Sequence, residues 1–304
     1  MLEAMNRLSI EKRVQIVTLM VEGMSMRSIS RAAGVSINTV TKMLEDVGAA
    51  CCEFQDKAMC NLTITQVQVD EIWAFIGAKQ KNAPVESDPE LGLGDCYTFT
   101  SIEPVTKLMP CYMLGYRDAE SADHFMADLK ARFKVDAEGR LVTRLQMTTN
   151  GMSGYSAAVA KHFGKDVDYA VLNKSYQAPQ TTTQAARRYS PNKVVGQTLA
   201  VVTGAPDLTK ASTSHVERAN LTMRMGMRRF TRLTNGFSKK IENHMQAVSL
   251  HMLHYNFGRV HKSLRVTPAM QAGVADHVWT IKEICDLVSE PEAKKRGAYK
   301  KRAD

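Results

Sequence analysis

Cysteine is scarce in this chain, with six residues in 304. That density is too low for a disulfide scaffold, and free thiols in a reducing compartment are expected. Cys51, Cys52 and Cys60 lack the paired C-x2-C spacing of a zinc site, so they read as ordinary thiols. No uncharged apolar run reaches the roughly 18 residues of a membrane-spanning helix, and no membrane partner is expected. An apolar signal core is missing too, because Glu3, Arg7, Glu11, Lys12 and Arg13 occupy its place. Internal repeats are absent. What is present is 44% hydrophobic and 23% charged residues, enough to close a core. At roughly 150 residues per domain the length suggests two domains.

The net charge of +9 is unevenly spread. Residues 212–265 carry +8, with Glu217 and Glu242 as their only acids. The tail 293–302 carries +6, which leaves −5 for the remainder. Basicity concentrated in this way points to a polyanionic partner such as nucleic acid.

Residues 9–47 predict three helices. Ser9 is placed to cap the first, and Ile10, Val14, Val17 and Val21 give it an apolar stripe that Gly23 ends. A short second helix runs from Ser25 to Ala33, Gly34-Val35 makes a turn, and Ser36 caps the third helix. This is a helix-turn-helix pattern, with Asn38, Thr39, Thr41 and Lys42 as candidate major-groove contacts. Residues 49–65 read as a linker. From Gln66 the period becomes two, with Val67, Val69, Trp73 and Phe75 alternating against polar residues. Further strands are expected at 96–103, 108–114, 141–149 and 168–172, and helices at 121–133 and 153–163. Residues 174–211 read as a polar, irregular insertion. Two long helices, 212–233 and 238–259, follow, then a C-terminal segment at 266–304 with its basic tail. The order is that of an α/β domain over 66–265.

Three positions carry the candidate chemistry. Asp70 stands inside an apolar strand, where an isolated carboxylate is costly. Asn150 ends a strand before a Gly-Met-Ser-Gly loop, where α/β active sites tend to lie. Glu217 opens a very basic helix. Glu71 is set aside because it points to the other face of the strand. On a continuous helix Glu217, Leu221, Arg224 and Arg228 share one stripe, and Arg218, Arg229 and Arg232 share its neighbour. Oxygen-bearing side chains on a strand, a strand end and a helix, two of them acidic, suit convergence on divalent cations that clamp a phosphodiester. His215 is expected to pack, and His244, His251, His254 and His261 to lie on helix surfaces.

Several segments resemble the DDE transposases of the bacterial insertion-sequence one family. They are Val69-Asp-Glu-Ile-Trp73, Gly115-Tyr-Arg-Asp118, Thr149-Asn-Gly-Met-Ser-Gly-Tyr155 and Ser212-Thr-Ser-His-Val-Glu-Arg-Ala-Asn-Leu221. To these are added Arg228-Arg-Phe-Thr-Arg-Leu-Thr234, Phe237-Ser-Lys-Lys240, Tyr255-Asn-Phe257 and the stretch from His261 to Pro268. The resemblance spans nearly the whole chain. It implies an N-terminal helix-turn-helix, a ribonuclease H-like mixed-sheet catalytic core and C-terminal helices. It also implies a two-metal site for Mg²⁺ or Mn²⁺, cleavage and joining of terminal inverted repeats, and a homodimer or higher assembly. The bacterial cytoplasm, at the nucleoid, is the implied location. Asp70 and Glu217 match two of the three catalytic acids, and Arg224 the basic residue that follows the Glu. Arg218, Arg228, Arg229, Arg232, Lys239 and Lys240 are expected on the DNA backbone.

One position departs. The second catalytic Asp falls on Asn150, a neutral amide and a poorer ligand for a hard cation. The chain is therefore expected to bind DNA ends and to cleave them weakly or not at all. The surrounding motifs are intact, which suits a single change made to trap a DNA complex. A non-catalytic DNA-binding repressor built on the same scaffold is the alternative.

Overall fold

The computed structural model describes residues 8–83, 92–178, 183, 192–231 and 234–289. Helix α1 covers Ile10–Val21, α2 Met26–Ala33 and α3 Ile37–Ala58. Each starts on a serine whose hydroxyl accepts an otherwise unpaired backbone N–H. Ser9 takes that of Lys12, Ser25 that of Ser28 and Ser36 that of Thr39. Gly34, at φ 65°, turns the chain between α2 and α3.

The expected linker at 49–65 is in large part helix, because α3 continues through Ala58. It continues because Val40, Met43, Leu44, Val47 and Cys51 keep an apolar face at helical spacing. Gly48 lies on that face. A Cβ there would stand 2.5 Å from the Cβ of Gln246, so the glycine lets α3 pack tightly on the later helix Ile241–Leu253. The N-terminal helices are thus bonded to the rest of the molecule by core packing.

The sheet has six strands in the order β3-β2-β1-β4-β5-β6. They are β1 Gln66–Ile76, β2 Gly94–Ile102, β3 Tyr112–Gly115, β4 Leu145–Asn150, β5 Val167–Gln177 and β6 Lys193–Thr203. β1, β2 and β3 pair antiparallel, β4 and β5 run parallel to β1, and β6 is antiparallel. Helix α4 (Ala119–Ala131) lies between β3 and β4, and α5 (Ser153–Phe163) is the crossover that parallel pairing of β4 and β5 requires. This is the mixed α/β, ribonuclease H-like arrangement that the family resemblance implies.

Two expectations change. Part of the stretch 174–211 is ordered sheet, since β5 runs on to Gln177 and β6 pairs back along it. Its polarity reflects an exposed strand pair, not irregular chain. The long helix expected at 212–233 is shorter, because α6 covers Ser214–Gly226 and a single 3₁₀ turn follows at Arg228–Phe230. Helix α7 spans Ile241–Leu253 and loosens into a π-turn at His254–Gly258. Two short helices, α8 Pro268–Gln271 and α9 Ile281–Asp286, complete the described chain.

The sheet separates two apolar layers. Val67 and Val69 of β1 join Phe125, Leu129, Tyr155 and Phe163 of α4 and α5, continuous with the N-terminal helices. Ile72 and Ala74 join Val216, Ala219, Met223 and Val248 of α6 and α7. The pleat turns successive side chains of β1 to opposite faces, and burial alternates from Ile72 to Ile76, while Val67, Gln68 and Val69 are buried on both faces. Among the described residues no helix is long and apolar enough to cross a membrane. All six cysteines are free thiols, and burial pushes those of Cys51 and Cys96 upward in pKa.

Candidate active site

The sheet register brings Asp70 and Asn150 together. Val69 of β1 pairs with Thr149 of parallel β4, so the next residues of the two strands are neighbours. Helix α6 is fixed over them by Gln68, which is 1% exposed. Its Oε1 accepts the backbone N–H groups of His215 (2.9 Å) and Val216 (3.3 Å). Those are unpaired donors of the first helical turn, so Gln68 caps α6 from the strand. Glu217 and Asn220 are thereby held above Asp70.

The side chains interlock. Asn150 Nδ2 donates to Asp70 Oδ1 and to Glu71 Oε2, both at 2.7 Å. Asn220 Nδ2 donates to Asp70 Oδ2 at 3.0 Å, and Thr100 donates to Asn220 Oδ1 at 3.0 Å. Glu217 Oε1 accepts the Thr213 hydroxyl at 2.7 Å and pairs with the Lys174 ammonium. Thr213 sits at the N-cap of α6 yet makes no cap bond; its hydroxyl serves Glu217 instead. Arg117 lies 3.8 Å from Glu71, whose side chain is 3% exposed.

Electrostatics follow from this crowding. Burial, and then the adjacent Glu71 charge, raise the Asp70 carboxyl from 3.8 to about 6, and Glu217 adds to the rise. Burial, then the charges of Glu71 and Asp70, push the Tyr155 phenol well above its ordinary value. Glu71 Oε1 is buried beside Tyr155 and has no hydrogen-bond partner among the described residues. Clustered hard oxygen donors with excess negative charge and an unsatisfied oxygen fit a divalent cation of the Mg²⁺ or Mn²⁺ type. Asn150 does not fit as a ligand in this arrangement. Its N–H end faces the carboxylates, and its Oδ1 accepts the Met152 N–H at 3.1 Å. Among the described residues no three His, Cys, Asp or Glu side chains stand close enough to hold an ion as they are.

Of the expected residues, Asp70, Asn150 and Glu217 lie in one locality. Arg224 is on α6, half-buried, two turns beyond Glu217, and Arg218 is exposed on the same helix. Arg228 and Arg229 do not continue its stripes, because the helix stops at Gly226. Arg228 is exposed. Arg229 turns inward to Ser238 Oγ at 2.8 Å, and burial lowers its pKa to about 10. Arg232 lies outside the described residues, as does the basic tail.

Lys239 and Lys240 are exposed. They join Arg27, Arg228 and Arg229 along a groove of about 870 Å³ between the N-terminal helices and the segment after α6. Among the described residues, no Asp or Glu lines it. Thr41 of α3 lines the groove as well. Asn38 is exposed on the first turn of α3, Thr39 bonds the Ser36 hydroxyl at 2.9 Å, and Lys42 pairs with Asp46 at 2.9 Å.

Sequence reasoning missed Glu71, Asn220, Lys174 and Gln68. Glu71 does lie on the opposite face of β1, but Asn150, at the end of β4, reaches both carboxylates. The carboxyamide of Asn220 three residues after Glu217 was the one available signal, since that spacing puts both on one side of a helix. His244, expected on a surface, is buried, with Nδ1 bonded to Ser238 at 2.8 Å and its pKa lowered by burial to about 3. His251 is likewise lowered to about 3 by burial. His215 packs beside Lys107 at 3.1 Å, as expected.

No family model matches the chain, and no curated protein matches its sequence. The chain is similar to a solved piggyBac transposase synaptic complex with hairpin DNA at 10% identity, covering 95% of this chain and 73% of that one, with a TM-score of 0.45. It is similar to the Mos1 mariner paired end complex with Mn at 10% identity, covering 83% and 78%, with a TM-score of 0.26. For the Mos1 strand transfer complex the values are 11% identity, 95% and 82%, and 0.23. At such scores the superposition is loose, and strand order and side-chain geometry define the class of fold.

Proposed function

We propose that the chain is a DDE-type DNA transposase whose cleavage is impaired by Asn150. The observation that carries this reading is the convergence of β1, β4 and α6 on Asp70, Asn150 and Glu217 beside a carboxylate-rich, acid-crowded centre. Its helix-turn-helix would read terminal inverted repeats through Asn38, Thr39, Thr41 and Lys42. The groove lined by Arg27, Arg228, Arg229, Lys239 and Lys240 would hold the duplex backbone, since five cations with no carboxylate among the described lining residues suit phosphates. Arg218 and Arg224 would grip phosphate nearer the carboxylates.

Asp70 and Glu217, with Glu71 beside them, would hold Mg²⁺ or Mn²⁺. When bound there, such ions would supply charge neutralisation for a phosphodiester displacement. The chain's own part is positional. Gln68 and Thr213 orient Glu217, and Asn220 orients Asp70. The reaction would be hydrolysis of one strand, in which water takes the phosphate and the 3′-oxygen leaves as a hydroxyl, followed by attack of that hydroxyl on a target phosphodiester, which releases the target strand's own 3′-hydroxyl. Joining two ends calls for at least two copies of the chain. Asn150 opposes the reaction twice over, by lacking a carboxylate and by donating N–H to two others.

The test incubates the chain and its Asn150→Asp variant with Mg²⁺ and DNA fragments flanking its coding sequence. Strand-specific nicking and end joining are expected from the variant, and end binding without nicking from the parent. Equal, robust cleavage by both would defeat the role given to position 150. End-specific, salt-sensitive binding with no cleavage by either would favour the repressor.

A further inference from the structure

We propose that Lys174 is a positioning residue of this site, a resident counter-ion for Glu217 that a divalent cation must displace. The inference rests on the metal-dependent reading above and adds a residue that neither motif nor spacing singles out.

The placement is set by the sheet. Asn150 of β4 pairs with Leu172 of β5, and Lys174 stands two residues further along the same strand. A period of two puts Leu172 and Lys174 on one face, the face that Gln68 and Asp70 present to α6. Lys174 thus approaches Glu217 from the sheet while Thr213 approaches it from the helix. Both donors meet the same oxygen, Oε1.

The lysine side chain is only 17% exposed, and Glu217 is 41% exposed. A partly desolvated ammonium is poorly placed without a carboxylate partner, and Glu217 is the partner it has. The same arrangement recurs at the other carboxylates, where the Asn150 amide spans Asp70 and Glu71. The chain's own N–H groups thus occupy the carboxylate oxygens that a metal ion would need. Lys174 brings a full charge into hydrogen-bond contact, whereas Arg117 stands 3.8 Å from Glu71, so Lys174 is the strongest competitor. Once displaced, its ammonium stays beside the carboxylates, where a DNA phosphate is the available anion.

The competition is read by Mn²⁺ affinity, measured from free-ion electron paramagnetic resonance on the full chain carrying Asn150→Asp. Lys174→Met and Lys174→Gln on that background are expected to tighten Mn²⁺ binding about tenfold, or ~1.4 kcal/mol. Lys174→Arg is expected to leave it within about twofold. Far-ultraviolet circular dichroism selects the variants that fold. Equal affinity with Lys, Arg, Gln and Met, or weaker binding on removing the charge, overturns the proposal while the metal site stands. No Mn²⁺ binding in any variant overturns both the proposal and the metal-dependent reading.

Discussion

Asp70→Asn should stabilise the folded chain at neutral pH and destabilise it in mild acid. Burial and Glu71 hold the Asp70 carboxyl at about 6 against an ordinary 3.8. Because the folded pKa is the higher one, the folded state takes up a proton that the unfolded chain does not hold between those values. That proton's contribution is complete below pH 3.8 and is lost as pH rises through about 6. At 1.36 kcal/mol per unit, the ionised side chain costs the fold about 3 kcal/mol at pH 7.5. An asparagine removes that cost. It also sets its amide against the Asn220 Nδ2 that now donates to Asp70 Oδ2. That conflict costs about 1–2 kcal/mol, the usual penalty of a buried donor without an acceptor. The net expectation in EDTA at pH 7.5 is a gain of about 1–2 kcal/mol, or roughly 2–5 °C in Tm for a chain of this size. At pH 4.5 the gain is gone and the variant melts below the parent. The assay is a pair of thermal melts followed by circular dichroism across pH 4.5–8. A variant less stable than the parent at both ends, with parallel pH profiles, would refute the idea that the Asp70 charge is held under strain.

Further outcomes can be checked in the same way. Gly48→Val should lower stability by about 2 kcal/mol or more, because the new side chain meets Gln246 within 2.5–2.7 Å across the α3–α7 contact; an unchanged denaturant midpoint would show that the N-terminal helices do not depend on this packing. Arg229→Met removes a buried cation that meets Ser238, and no acid pairs with it among the described residues. Its melting temperature is expected to hold or rise, while the salt dependence of DNA binding loses about one unit of slope. A slope equal to the parent's would remove Arg229 from the phosphate-binding set.

The N-terminal helices were legible in the sequence because their signals are local. A serine three residues before the N–H it accepts, and a glycine free to adopt positive φ, act within one turn of chain. Helix α5 was legible over its whole length, Ser153–Phe163; among the described residues no side chain caps its start, and Gly164 at φ 52° ends it. The linker reading failed where a helical face persisted past residue 48, since its partner α7 is nearly two hundred residues away. The start of β5 was legible at 168–172, but its continuation to Gln177 and the whole of β6 were read as irregular, because β6 is exposed along nearly its whole length and carries no alternating apolar face.

Asp70, Asn150 and Glu217 could be nominated from residue type and spacing, because an acid inside an apolar strand and an acid opening a basic helix are visible in one dimension. What the nominations meant was decided in three dimensions. Parallel register makes Asp70 and Asn150 neighbours, Gln68 sets α6 above them, and the reach of one amide joins Glu71 to the site. Lys174 is a plain lysine in a polar stretch until β5 brings it to Glu217. Intrinsic preferences of a few residues settle where helices and strands begin. The energy of a buried charge depends on every group within several ångströms, and only the closed sheet with its packed helices determines which groups those are.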